Sequence, residues 1–176
     1  MFGNQRLVRC SRFYSKTSSC PLFIKPAETA KAFAAIIEPR DQMLDMLING
    51  ISGVLVGLPP STPVHCSEVV DMVAEYRVYV VNGAIRSICQ YRGGDVALDI
   101  TVVNEAVKLL SVSSEGRDLT GYGIDFAVMK KKQEKYVTCL VEVNDGYSLG
   151  RYEGISGKDY TDLLIARWFR LMQRNV

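Results

Sequence analysis

The sequence predicts an α+β protein built on antiparallel sheets, and three observations carry that reading. Two β-branched runs, residues 122–129 and 137–144, flank the short charged segment 130–135, which is the pattern of a hairpin. A second alternating run, 75–81, ends at Asn82-Gly83 and returns through 85–91; that dipeptide favours a tight two-residue turn. Between and after these hairpins lie two helical patterns, one over 99–110 and one over 158–173.

Composition sets the outer limits. A chain of 176 residues, 48% of them hydrophobic, can build one domain or two small lobes with a packed core. Its 21 basic and 19 acidic side chains leave a net charge of +2, too balanced a field to indicate nucleic acid or an anionic membrane as partner. No apolar run approaches the ~20 residues that span a bilayer. Cys10, Cys20, Cys66, Cys89 and Cys139 are odd in number and lack C-x-x-C spacing, and His65 is the sole histidine. This argues against a zinc site, a disulfide framework and a Ser-His or Cys-His nucleophile, and it fits a reducing compartment.

Taken in order, residues 1–27 contain no Asp or Glu but carry Arg6, Arg9, Arg12 and Lys16. A cytoplasmic protein is expected, with mitochondrial import as the alternative that this acid-free basic start supports. Residues 27–37 have apolar positions at mixed spacing and read equally as short helix or strand. Residues 41–50 read as a helix with Asp41 as N-cap and Asn49-Gly50 as its stop, and 51–56 as a strand before the turn 59–63. Together they make a small α+β lobe.

On the next strand the period of two places Glu75, Arg77 and Tyr79 on one face and Tyr76, Val78 and Val80 on the other. Arg77 can then look into a cleft, an exposed salt bridge being the plainer alternative. After the Asn82-Gly83 turn, Ser87, Cys89 and Tyr91 share a face opposite Arg86 and Ile88. The helix over 99–110 has Asp99 or Thr101 as cap and Val102, Val103, Ala106, Val107 and Leu110 as its apolar stripe. On the final helix Tyr160, Leu163, Leu164, Arg167, Trp168 and Leu171 form one stripe, read as core. Glycines 146, 150, 154 and 157 bracket a mobile-looking loop before it, in which Tyr147 and Ser148 are candidates to touch an acceptor substrate.

The third strand pair carries the chemistry. Alternation sends Glu142 and Asn144 out of the strand on the face opposite Val141 and Val143. If Lys130 pairs with Lys135, Asp125 falls opposite Leu140 and shares the face of Glu142 and Asn144. Three oxygen donors on one surface suit magnesium, which takes hard oxygen ligands and keeps waters or phosphates in its shell. An E-x-N pair standing alone would more often be a solvated strand face.

With these residues in view, Gly123-Ile124-Asp125-Phe126 followed by Leu140-Val141-Glu142-Val143-Asn144 resembles the metal-binding hairpin of the ATP-grasp superfamily. Phe23-Ile24-Lys25-Pro26 resembles the strand whose lysine reaches the ATP phosphates. Cys66-Ser67-Glu68-Val69-Val70 resembles the hinge that pairs with adenine, and residues 75–83 are similar to the opening of the second grasp subdomain. The run 144–150 is most similar to a small clade of bacterial and phage-borne ATP-grasp domains. The resemblance covers about residues 21–173, and the order of its pieces makes it specific.

It implies two α+β lobes with antiparallel sheets enclosing a nucleotide cleft: a basic segment over 1–20, a small lobe over 21–66, and a metal- and nucleotide-binding lobe over 67–176. It implies ATP and magnesium as cofactors. Asp125, Glu142 and Asn144 would be metal ligands; Lys25, Ser67, Glu68, Val69, Val70 and Arg77 would bind nucleotide; Arg77 and Arg92 would act at the reacting phosphate. The segment Lys16-Thr17-Ser18-Ser19 could belong to a phosphate loop. The expected activity is an ATP-dependent carboxylate–amine ligase working through an acylphosphate, with small-molecule or peptide carboxylates and amines as substrates. The alternative is a non-catalytic nucleotide-binding or scaffolding module that kept the grasp core. The domain that precedes this core in most ATP-grasp proteins has no room here, so a homodimer is expected to cover that side.

Overall fold

The structure is a computed structural model that describes residues 21–27, 34–38, 63–131 and 135–173. The helix expected over 41–50, the strand over 51–56 and the basic start, including the Lys16-Thr17-Ser18-Ser19 loop, lie outside the described residues. The chain divides into two compact units, Met1–Val70 and Asp71–Val176.

In the first unit, β1 (Leu22–Pro26) is flanked by β2 (Ile36–Glu38) and β3 (Val64–Glu68), and both pairings are antiparallel. Leu22 and Ile24 alternate into the interior and Val64 joins them. Lys25, next along β1, is half-buried and in register with His65. The segment that read equally as helix or strand is extended at 36–38, where it pairs with β1. Of residues 66–70, expected as a hinge, 66–68 end the strand β3 and the run is exposed from Ser67 onward.

The second unit is a four-stranded sheet of β4 (Met72–Val81), β5 (Ala84–Gly93), β6 (Gly121–Lys130) and β7 (Tyr136–Asp145), in the order β5-β4-β6-β7 and antiparallel throughout. The β4–β5 turn follows from its two residues. Asn82 and Gly83 take φ of 50° and 77°, the left-handed pair that matches the twist of a two-residue hairpin.

Helix α1 (Ile100–Val112) covers one face of the sheet. Asp99 caps it by accepting the Thr101 N–H at 2.9 Å. Val103, Val107 and Leu110, one turn apart, pack on Val78, Val80, Tyr122, Ile124 and Phe126. Helix α2 (Gly157–Gln173) belongs to the other face, where Leu163 is buried with Tyr79, Val81, Cys89, Leu149 and Ile155. With both faces covered, the central strand β6 is buried without a break over 121–128.

The stripe expected on the last helix is only partly correct. Leu163 and Arg167 are buried, but Trp168 is 60% exposed. Arg167 turns inward because its guanidinium bonds Asp145, Nε to Oδ1 at 2.7 Å, and the Asp118 carbonyl at 2.8 Å. Trp168 then joins Ile165, Phe169 and Met172 on an exposed apolar face. Two apolar stripes shared one helix, and periodicity alone could not choose between them.

The hairpin register also differs from expectation. Lys130 pairs with Tyr136, not Lys135, because Lys131, one residue further on, is the one that bonds Lys135, its N–H on the Lys135 carbonyl at 2.8 Å. Asp125 pairs with Glu142, not Leu140, because Val141 is an extra residue that bulges between the Asp125–Glu142 and Phe126–Leu140 pairs. The two one-residue shifts restore the parity, so Glu142 still shares the face of Asp125.

Candidate functional site

Cross-strand pairing sets Cys89, Arg77, Asp125 and Glu142 in one row across all four strands. The row lies on the face that α2 covers, since Cys89 belongs to that cluster. Without the bulge at Val141, Glu142 would turn to the opposite face. Re-aiming one side chain is what a β-bulge beside a site does.

Arg77 and Asp125 form a two-pronged ion pair, Nε to Oδ1 and Nη2 to Oδ2, each at 2.7 Å. Both are buried, at 8% and 3% exposure. Burial pulls the Arg77 pKa down, but the hydrogen bonds and negative charge of Asp125 outweigh it and the net shift is upward. The guanidinium is therefore a fixed cation.

Asn144 joins the two acids. Its Nδ2 donates to Asp125 Oδ2 at 3.2 Å and to Glu142 Oε1 at 3.1 Å. It sits one row along, opposite Gly123, whose missing side chain matters: a Cβ there would come within 2.8 Å of Leu149 Cδ2 and 3.3 Å of Arg77 Cδ.

The donor set fits a hard divalent cation. Among the described residues no three of His, Cys, Asp and Glu gather at one point, so an amide must complete the set, and Asn144 already links the two carboxylates. A carboxylate offers about four acceptor positions. Arg77 and Asn144 occupy three on Asp125, so Oδ1 keeps a lone pair. Arg77 neutralises Asp125, whereas Glu142 is exposed and has no cationic partner among the described residues. One uncompensated acid beside a satisfied one is a receptive place for a cation, with the amide turning its oxygen inward.

An aromatic layer surrounds Arg77. The Tyr152 ring lies 4.9 Å from its guanidinium carbon and stacks on Tyr91 at 4.6 Å and 13°. Tyr91 donates its hydroxyl to Glu75 Oε2 at 3.1 Å, and Glu75 Oε1 accepts from Arg92 Nη1 at 2.9 Å. Burial first, then the charges of Asp125 and Glu75, push the Tyr91 pKa up, so it is a proton donor at neutral pH.

The loop expected to be mobile is tied down on this face. Tyr79 donates to the Gly150 carbonyl at 2.9 Å and accepts the Tyr152 N–H at 2.8 Å. Tyr160 donates to the Leu149 carbonyl at 2.6 Å, and Ser87 to that of Gly154 at 3.1 Å. Tyr147 and Ser148, the acceptor candidates, are exposed in a 3-10 turn capped by Asp145.

The structure thus brings together Arg77, Asp125, Glu142 and Asn144, with Arg92 joined to them only through Glu75 and Tyr91. Lys25, Ser67, Glu68, Val69 and Val70 belong to the first unit. Ser67 makes a local bond to the Glu68 carbonyl at 3.2 Å, and Val69 and Val70 are exposed. Sequence reasoning missed Tyr152 and the direct Arg77–Asp125 bond. Tyr152 lies in a loop with no periodicity, and the ion pair needs a β4–β6 register that no turn between adjacent strands fixes.

The chain matches, over residues 2–163, a family described as an ATP-grasp domain, the second family of its clade. It belongs to that ATP-grasp family. No curated relative matches it. Among solved structures, the ATP-grasp ligase PsnB, complexed with a phosphomimetic variant of its minimal precursor, Mg and ADP, is 16% identical; the match covers 90% of this chain and 46% of PsnB, with a TM-score of 0.48. D-alanine–D-alanine ligase from Bacillus anthracis, complexed with ATP, is 16% identical over 88% of this chain and 52% of its own, with a TM-score of 0.49. The RiPP-associated ATP-grasp ligase of Chryseobacterium gregarium, in complex with ADP and a leader and core peptide, is 10% identical over 89% and 49%, with a TM-score of 0.37. This ATP-grasp chain spans about half the length of the solved structures it matches. Among the described residues no helix is long and apolar enough to cross a membrane.

Proposed function

We propose that the chain is an ATP- and magnesium-dependent carboxylate–amine ligase acting through an acylphosphate. The observation that supports this best is the row Arg77–Asp125–Glu142 with Asn144 bridging its acids, in a chain of the ATP-grasp family. Magnesium, when bound, would supply charge neutralisation at the nucleotide phosphates.

The side chains divide the work by charge. Asp125 is oriented by Arg77, and Glu142 offers the free carboxylate. Asn144 keeps both acids within reach of one ion. The fork of Arg77 uses Nε and Nη2, which leaves Nη1 for a phosphate oxygen. Arg92, exposed apart from its Glu75 bond, is the second cation for phosphate charge.

A carboxylate oxygen of the substrate attacks the γ-phosphorus and ADP leaves. The amine then attacks the acyl carbon, loses a proton, and phosphate leaves. Neither step needs a side-chain nucleophile, only positioning and charge neutralisation. The substrates are small-molecule or peptide carboxylates and amines.

One observation favours the second reading, a non-catalytic nucleotide-binding module: Arg77, the buried cation of this row, is already bound to Asp125. Turnover separates the two. The chain is incubated with Mg-ATP and pooled amino acids, peptides and carboxylates, and ADP release is followed. Release that needs both a carboxylate and an amine supports the ligase, and binding without release supports the module. No binding at millimolar nucleotide overturns both.

A further inference from the structure

We infer that Tyr152 is a positioning residue whose ring holds the Arg77 guanidinium against Asp125 and so keeps the acid–amide row in order for nucleotide and metal. The inference rests on the ligand-binding reading proposed above, though one arm of its test does not.

A guanidinium is planar. Its edge can be fixed by a carboxylate while its faces remain free to tilt. Asp125 fixes the edge of Arg77 through two 2.7 Å bonds. The Arg77 guanidinium carbon lies over the Tyr152 ring, 4.9 Å from its centroid, within the range of a cation–π contact.

Tyr152 is itself fixed from two sides. Tyr91 stacks on it at 4.6 Å with rings only 13° apart, and Tyr91 is anchored through its hydroxyl to Glu75. Its backbone N–H donates to the Tyr79 hydroxyl, which bonds back to Gly150. The loop that carries it is fastened further by Ser87 and Tyr160. These anchors converge on the loop residue whose ring meets the row. A buried ion pair depends on its geometry, because a small tilt exchanges a direct bond for an unsatisfied charge.

The competing role is plain packing, since Tyr152 also lies against the cluster of Tyr79, Cys89 and Ile155. Tyr152→Leu keeps apolar bulk but has no π face, whereas Tyr152→Phe keeps the ring and loses only the hydroxyl. Both are made in the full chain, with thermal melting to show folding. Two quantities are read: solvent exchange of the Arg77 Nε–H resonance, assigned by its loss in Arg77→Lys, and the Mg-ATP dissociation constant by calorimetry.

Tyr152→Phe should match the wild type in both. Tyr152→Leu should speed Arg77 Nε–H exchange and weaken Mg-ATP about tenfold, the size expected for one partly desolvated cation–π contact. A folded Tyr152→Leu with wild-type exchange and affinity overturns the inference, as does a Phe variant that loses as much as Leu. If the wild type does not bind Mg-ATP, the proposed function fails, and the exchange measurement alone decides the role of Tyr152. If Tyr152→Leu does not fold, Tyr91→Leu, which removes the ring that steadies Tyr152, must speed the exchange; unchanged exchange overturns the inference.

Discussion

The two faces of the four-stranded sheet come from the same strands and meet opposite demands. On the α1 face, Val78, Val80, Ile124 and Phe126 pack on Val103, Val107 and Leu110, with Tyr122 the one polar-tipped member. On the α2 face, Arg77, Asp125 and Arg167 are buried with Tyr79, Leu149 and Leu163. Both central strands alternate between these faces, so each step along β4 or β6 passes from core to site. The apolar face needs only shape and volume. The polar face can be buried only because its charges come in pairs, Arg77 with Asp125 and Arg167 with Asp145. Adjacent residues should therefore fail in different ways when altered.

Phe126→Ala should produce the largest stability loss, about 4 kcal/mol, because a fully buried ring in the central strand leaves a cavity under α1. Denaturant unfolding measures it, and any nucleotide binding should survive under conditions where the variant is still folded. Asp125→Ala, next to it in sequence, should cost about 3 kcal/mol by leaving Arg77 buried without its partner. Unlike Phe126→Ala it should also abolish magnesium-dependent nucleotide binding in the folded fraction. Equal effects of the two variants on binding would erase the distinction between the faces.

A smaller effect sharpens the comparison at high pH. Burial, helped by Asp125 and Glu75, holds the Tyr91 hydroxyl above the ordinary range near 10. The folded chain keeps a proton that the unfolded chain releases, so this stabilisation is whole below about pH 10 and declines as pH rises beyond it. Tyr91→Phe should flatten part of that decline, seen as a smaller difference in unfolding midpoint between about pH 9 and about pH 11. An unchanged slope would mean that Tyr91 titrates alike in both states.

Much of this was legible in the residues. The period of two assigned the faces of Arg77, Tyr79, Cys89 and Tyr91, and the capping Asp99 and the 3.6 spacing of Val103, Val107 and Leu110 located α1. The shared face of Asp125, Glu142 and Asn144 was foreseen from a register that was off by two, because parity is all a face assignment needs. The bulge at Val141 carries no local signature, since a valine suits a regular strand equally well. The Arg77–Asp125 bond joins residues 48 apart, through a strand pairing that no adjacent turn dictates. Arg167 kept its expected place in the core stripe and Trp168 left it, because the buried ion pair of Arg167 to Asp145 fixes which side of the helix faces inward.

The most direct test uses the smallest change to the fold. Glu142 is exposed, and its removal should leave stability within about 0.5 kcal/mol of wild type. Melting of the wild-type chain should shift upward with millimolar ATP when magnesium is present, since a ligand at a hundred times its Kd adds about 2.7 kcal/mol. Glu142→Ala should melt at the wild-type temperature without ligand and lose most of that magnesium-dependent shift. A wild-type chain indifferent to Mg-ATP, or a Glu142→Ala chain that shifts as far as the wild type, would contradict the assignment of this face as the metal and nucleotide site.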